Sequence, residues 1–155
     1  MKQIPEVVIE FLRAQGFVIL SSIDKKGFPH SSCKDIVKIE PNGKIYVIDV
    51  YQGLTAENIK HNPQVSISAV DEHKFMGYCL KGKARVMAAD AISQEFSRSW
   101  EDKVTSRLAK RLLHNLAQDK SRPHHPEASL PKPTHLIAIM VEEIVDLAPY
   151  YLRKE

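Results

Sequence analysis

The sequence predicts a mainly β protein, an antiparallel β-barrel with helical additions. Three observations predict it. Six segments of strand length either alternate polar and apolar residues or run apolar throughout. Most of them are joined by short turns rich in glycine, proline or asparagine. Helical periodicity is confined to the start of the chain, a short interlude near residue 55 and a stretch after the fifth strand.

In chain order, MKQIPEVVIEFLRAQG reads as an amphipathic helix. Pro5 falls where a first helical turn tolerates it, and Val7, Val8, Phe11 and Leu12 follow at helical spacing up to Gly16. FVILSSI is the first strand, and DKKG turns the chain into a second that begins near Pro29 and runs through KDIVKIE. The Asn-Gly pair of EPNGK suits a tight hairpin into the third strand, IYVIDV. TAENIKHN then reads as two turns of helix, with the Thr55 hydroxyl as cap, a carboxylate in the first turn and basic residues near the end. Pro63 stops it, QVSISAV is the fourth strand, and residues 75–87 give the fifth.

Two helical stretches are expected over about 88–118. The first is opened by Asp90 as a cap; in the second, Val104, Leu108, Leu112 and Leu116 recur at i+4 as a packing face. The proline-rich stretch at about 121–133 reads as a loop, and HLIAIMVEEIVDL as a sixth strand inside a sheet. At 155 residues, without internal repeats, the chain is expected to be a single domain over 1–155.

Composition excludes several classes. With 43% hydrophobic and 26% charged residues the chain is ordinary for a globular protein. A net charge of +3, spread along the sequence, gives no basic footprint for nucleic acid. No apolar run nears the roughly 20 residues a bilayer span needs, so no membrane role is expected. The two cysteines, Cys33 and Cys79, have no metal or redox spacing, which points to a reduced, cytoplasmic protein. His124 and His125 sit side by side in the proline-rich loop without a partner at ligand spacing, and no metal is expected. There is no P-loop and no Ser-His-Asp order.

GFPHSS, KIYVID, TAENIKHNPQVSIS and GYCLKGKARV, in that order and spacing, resemble the pyridoxamine 5′-phosphate oxidase-like family of FMN-binding split barrels. The resemblance covers residues 17–87, with support from the last strand. It implies a six-stranded antiparallel split barrel and a homodimer with FMN in clefts at the subunit interface. The strand after the G-x-P turn would lie along the flavin, which brings forward Ser31, Ser32, Cys33, Lys34 and Asp35. Only about half of these can face one side of a strand. Read on its own, Cys33 is a packing residue.

On its own residues the short helix is either a plain connector capped by Thr55 or an anion site; the resemblance implies the second, a phosphate site, and the physics is compatible with it. Its first N–H groups lack internal partners, and its start carries about half a positive charge. Gly53 permits close backbone approach, the Thr55 hydroxyl can donate to phosphate, and Asn58 is a second contact or a solvated side chain. The family often has a basic residue beside that threonine. Leu54 stands there, so Lys34 or a lysine of the other subunit would have to take its place. Asp49 and Gln52 flank the loop and could bond the ring edge or ribityl hydroxyls; Asp49 could equally be a surface carboxylate.

The expected activity is that of an FMN-dependent oxidoreductase on a small substrate. Alternatives are a non-catalytic FMN-binding or electron-transfer module, or a relative that binds deazaflavin or haem. Full pyridoxamine phosphate oxidases carry an arginine-rich C-terminal segment; this sequence ends LAPYYLRKE, which argues against vitamin B6 oxidation.

Overall fold

A computed structural model describes residues 1–50, 53–88, 93–117 and 133–153. Six strands close into one antiparallel barrel: β1 (Val18–Ile23), β2 (Pro29–Glu40), β3 (Lys44–Asp49), β4 (Gln64–Asp71), β5 (Met76–Met87) and β6 (His135–Asp146). Around the barrel the order is β1-β2-β3-β6-β5-β4, so β6 fills the gap between β3 and β5 and β4 closes onto β1. Helix α1 (Glu6–Ala14) precedes the barrel, α2 (Leu54–His61) links β3 to β4, and α3 (Gln94–Ala117) follows β5. The expected fold class holds.

Alternation decides what each strand buries. Leu20, Ile45, Val47, Ile67, Leu80, Ile137, Ile139 and Val141 are fully or nearly fully buried and fill the narrow interior. Helix α1 adds Val8, Ile9 and Leu12 to this core and lies toward the β4–β5 hairpin, where Phe11 meets Tyr78 edge-on at 5.2 Å. Helix α2 lies at the other end of β4, adding Ile59 to the same core. The β2–β3 hairpin uses a three-residue loop: Glu40 pairs with Lys44, and Gly43 N–H donates to Glu40 O at 3.0 Å. Gly43 has φ +104°, and a Cβ there would lie 2.3 Å from Lys2 O, so conformation and close approach both require glycine.

Helix α3 covers part of the barrel's outer face. Trp100 and Val104 pack on Ile48 and Leu136, with Leu108 at the margin. Beside this apolar stripe runs a polar one at i, i+4, i+8. Ser99 Oγ donates to Val37 O at 3.0 Å, and the Lys103 ammonium donates to Ile36 O. Arg107 forms a two-pronged bond to Asp35 at 2.7 and 2.9 Å. The first two acceptors lie at the register shift between Ile36 and Lys38, where β2 leaves regular pairing with β3, so α3 satisfies carbonyls that the bulge disturbs. Burial lowers the Lys103 pKa below the ordinary lysine value; Asp35 opposes that shift and Arg107 adds to it.

Three expectations need correction. The two helical stretches are one continuous helix from Gln94, and the Asp90 cap lies outside the described residues. The leucine face is only half used: Val104 and Leu108 pack on the barrel, whereas Leu112 and Leu116 are 61% and 70% exposed. Cys33 is exposed rather than packed, because its side chain falls on the outward face of β2. The paired histidines of the proline-rich loop lie outside the described residues.

Candidate functional site

The β1–β2 register sorts the second-strand residues. Ser32 is opposite Leu20 and Lys34 opposite Val18, both buried, so these two share the inward face. Ser31 and Cys33 are opposite Ser21 and Ile19 and share the outward one. Ser31 Oγ and Ser21 Oγ are 2.9 Å apart, and Ser21 lines an open groove of about 560 Å³ with Pro29, Ser66, Lys81 and Gly82. Asp35, also an outward residue, has both carboxylate oxygens engaged by Arg107. That ion pair ties β2 to α3 and leaves Asp35 little capacity for a ligand.

Helix α2 brings its own residues onto the inward set. Its N-cap is Gly53, with no side-chain cap bond, and Leu54 is the first helical residue. Thr55 is therefore one position inside the helix, not its cap. Its buried hydroxyl lies 3.0 Å from Ser32 Oγ. Asn58 is the fifth helical residue rather than the third that a Thr55 cap would make it, and its side-chain amide donates to the buried Ser22 hydroxyl at 3.1 Å. This bond anchors α2 to β1, so Asn58 serves the barrel rather than solvent. The helical hydrogen-bond ladder begins with Ala56 N–H donating to Gly53 O at 3.1 Å, which leaves the Leu54 and Thr55 N–H groups ahead of it. The Leu54 side chain is 60% exposed and offers no charge.

Lys34 supplies the charge that Leu54 lacks, but it is already engaged. Its ammonium donates to Asp49 Oδ1, and the two side chains are 12% and 1% exposed. Asp49 is thus a buried carboxylate, not a surface one. Its other oxygen, Oδ2, is buried and has no hydrogen-bond partner among the described residues. Gln52 lies outside the described residues. The arrangement is a polar layer at one barrel mouth: Ser22, Ser32, Lys34 and Asp49 from three strands, with Thr55 and Asn58 from α2. Sequence reasoning missed Ser22 and Arg107. The signal for Arg107 was its spacing of four residues from Lys103 and eight from Ser99; Ser22 carried none.

Within the described residues no cluster of His, Cys, Asp and Glu could hold a metal ion, and no helix is long and apolar enough to cross a membrane.

A closed six-stranded antiparallel barrel with a short helix over a polar mouth has the split-barrel architecture. The family model described as Pyridoxamine 5′-phosphate oxidase matches residues 4–148, and the chain belongs to that family. No curated protein matches it. Among solved structures it is similar to HupZ of Group A Streptococcus, with TM-score 0.66, 19% identity and coverage of 93% of this chain and 94% of that one. A putative pyridoxamine 5′-phosphate oxidase from Lactobacillus delbrueckii aligns with TM-score 0.61, 16% identity, and 92% and 93% coverage. HutZ, the heme storage protein from Vibrio cholerae, aligns with TM-score 0.53, 18% identity, and 93% and 94% coverage. At these identities the structures share the fold.

Proposed function

We infer that this protein is an FMN-binding flavoprotein of its family and acts as an FMN-dependent oxidoreductase on a small substrate. The observation that carries the reading is the α2 mouth, where the Leu54 and Thr55 N–H groups and the Ser32–Thr55 hydroxyl pair converge. These are donors suited to a phosphate oxygen. Ser32, Thr55 and Lys34 would hold the phosphate, with Gly53 and Leu54 contributing backbone. Ser31 and Cys33 lie on the outward side of β2, Ser31 against the groove residue Ser21 and Cys33 opposite Ile19, and the rest of the ligand would run along β2 past them. Bound FMN supplies hydride or electron transfer; the chain binds and orients it. A second reading, haem binding, has one support, the similarity to HutZ.

The test is titration with FMN, riboflavin and haemin, followed by flavin fluorescence and haem absorbance. FMN is expected to bind at one per chain and at least tenfold tighter than riboflavin, a difference of about 1.4 kcal/mol that two or three charge-assisted bonds supply. Equal affinity for riboflavin removes the phosphate site, and tight stoichiometric haemin with no FMN binding favours the second reading. Stopped-flow reduction of the FMN complex by NADH or NADPH then separates an enzyme from an electron carrier.

The flavoprotein is further taken to be a homodimer with FMN at the interface. Leu112, Leu113 and Leu116 project from α3 at 61%, 67% and 70% exposure, and Ile19 lies outward on β1 at 47%. Such surface is better covered than wet. If both chains touch the cofactor, FMN must tighten the dimer by as much as dimerisation tightens FMN. Sedimentation at low micromolar protein, with and without FMN, checks this; a monomer with full FMN affinity is the contrary result.

A further inference from the structure

Two facts about the polar mouth pull against each other. An anion site needs a net positive field, yet its cation, Lys34, is neutralised by Asp49. Asp49 is itself incompletely satisfied: it is 1% exposed, and Oδ2 has no partner among the described residues. A buried carboxylate oxygen without a hydrogen bond is costly, so a group that completes it gains more there than in water. Lys34 and Ser32 are two residues apart on one face of β2, roughly 7 Å along the strand, so the lysine stem reaches toward the Ser32–Thr55 hydroxyls.

A bare anion that draws the ammonium away from Asp49 leaves a buried carboxylate with no partner at all. That penalty works against simple anions. A ligand that carries a hydroxyl beside its phosphate can supply the missing donor while the phosphate takes the ammonium. We propose that Asp49 is a specificity residue of this mouth, selecting phosphate esters that bear a neighbouring hydroxyl, the chemistry of a phosphorylated polyol chain, over anions that lack one. The proposal rests on reading the α2 mouth as a phosphate site. Asp49 acts here as a buried acceptor near the phosphate, which favours the hydroxyl-bearing chain over the ring edge among the two contacts that its position in the sequence suggests.

The experiment uses the unmodified protein first. Glycerol 3-phosphate and propyl phosphate have similar size and charge but differ in hydroxyls; each competes against FMN in the fluorescence titration. Glycerol 3-phosphate is expected to compete at least fivefold better. In Asp49→Asn the ammonium is released from its carboxylate, so propyl phosphate is expected to gain about tenfold and the preference to shrink below twofold. Circular dichroism and thermal melting establish that the variant folds; if it does not, the ligand pair on the unmodified protein still decides. Equal competition by the two esters overturns the proposal, as does a folded Asp49→Asn with an unchanged preference. Failure of the unmodified protein to bind FMN or either ester at all is a different result, which overturns the phosphate-site reading itself.

Discussion

Arg107→Leu is expected to lower the unfolding free energy by about 3 kcal/mol, because it leaves the Asp35 carboxylate buried without its cation. The pair is nearly dry: the two side chains are 13% and 9% exposed, and the guanidinium meets both carboxylate oxygens. Arg107 also donates to Gly16 O at 3.2 Å and lies 4.4 Å from the centre of the Phe17 ring, so it joins α3 to the α1–β1 connection and to β2. Lys103 moderates the loss. Its attraction to Asp35 already opposes the burial that lowers its pKa, and without Arg107 it is the cation left beside the carboxylate. Urea unfolding measures the effect. The double variant Asp35→Leu, Arg107→Leu separates a lost attraction from a stranded charge: it should recover most of the stability, since two apolar residues leave nothing uncompensated. A loss under 1 kcal/mol for the single variant would mean that α3 is held by its Trp100 and Val104 packing alone.

The strands were legible because their signal is local. A period of two, with Gly27 and Gly43 marking turns, fixes where β1, β2 and β3 begin and end within a residue or so. The α2 helix was legible in existence but not in register. Threonine is a better side-chain cap than glycine, so TAENIKHN reads as starting on Thr55, whereas the backbone starts the helix on Leu54 with Gly53 in extended conformation. That two-position shift of the cap, from Thr55 to Gly53, changes the role of two residues. It turns the Thr55 side chain onto Ser32 and Asn58 onto Ser22, 36 residues away in sequence. Partnerships at such separations, like Asp35 with Arg107 at 72, depend on barrel closure, and no local pattern encodes them. The leucine spacing of α3 predicted a buried face correctly as far as Val104 and Leu108. Periodicity records that a face is apolar, not how much of it the barrel covers.

Thr55→Glu is expected to weaken FMN at least a hundredfold, about 3 kcal/mol, while the protein stays folded. The new carboxylate would stand at the second helical residue, beside the N–H groups assigned to the phosphate. There it would satisfy the helix end internally and repel a dianion at the same spot. Because Thr55 is 3% exposed, the larger charged side chain is also expected to cost fold stability, partly offset by the favourable place of a negative charge in the first turn of the helix. Thr55→Ala isolates the hydroxyl. Because Thr55 does not cap the helix, the usual loss of capping stability does not apply. FMN should weaken by about 1 kcal/mol, the value of one hydrogen bond, with Thr55→Ser restoring it. Fluorescence titration gives the affinities, and thermal melting reports the fold. If Thr55→Glu melts like the parent and binds FMN equally well, the phosphate does not sit at the α2 mouth, because no dianion can share that position with a fixed carboxylate at so little cost.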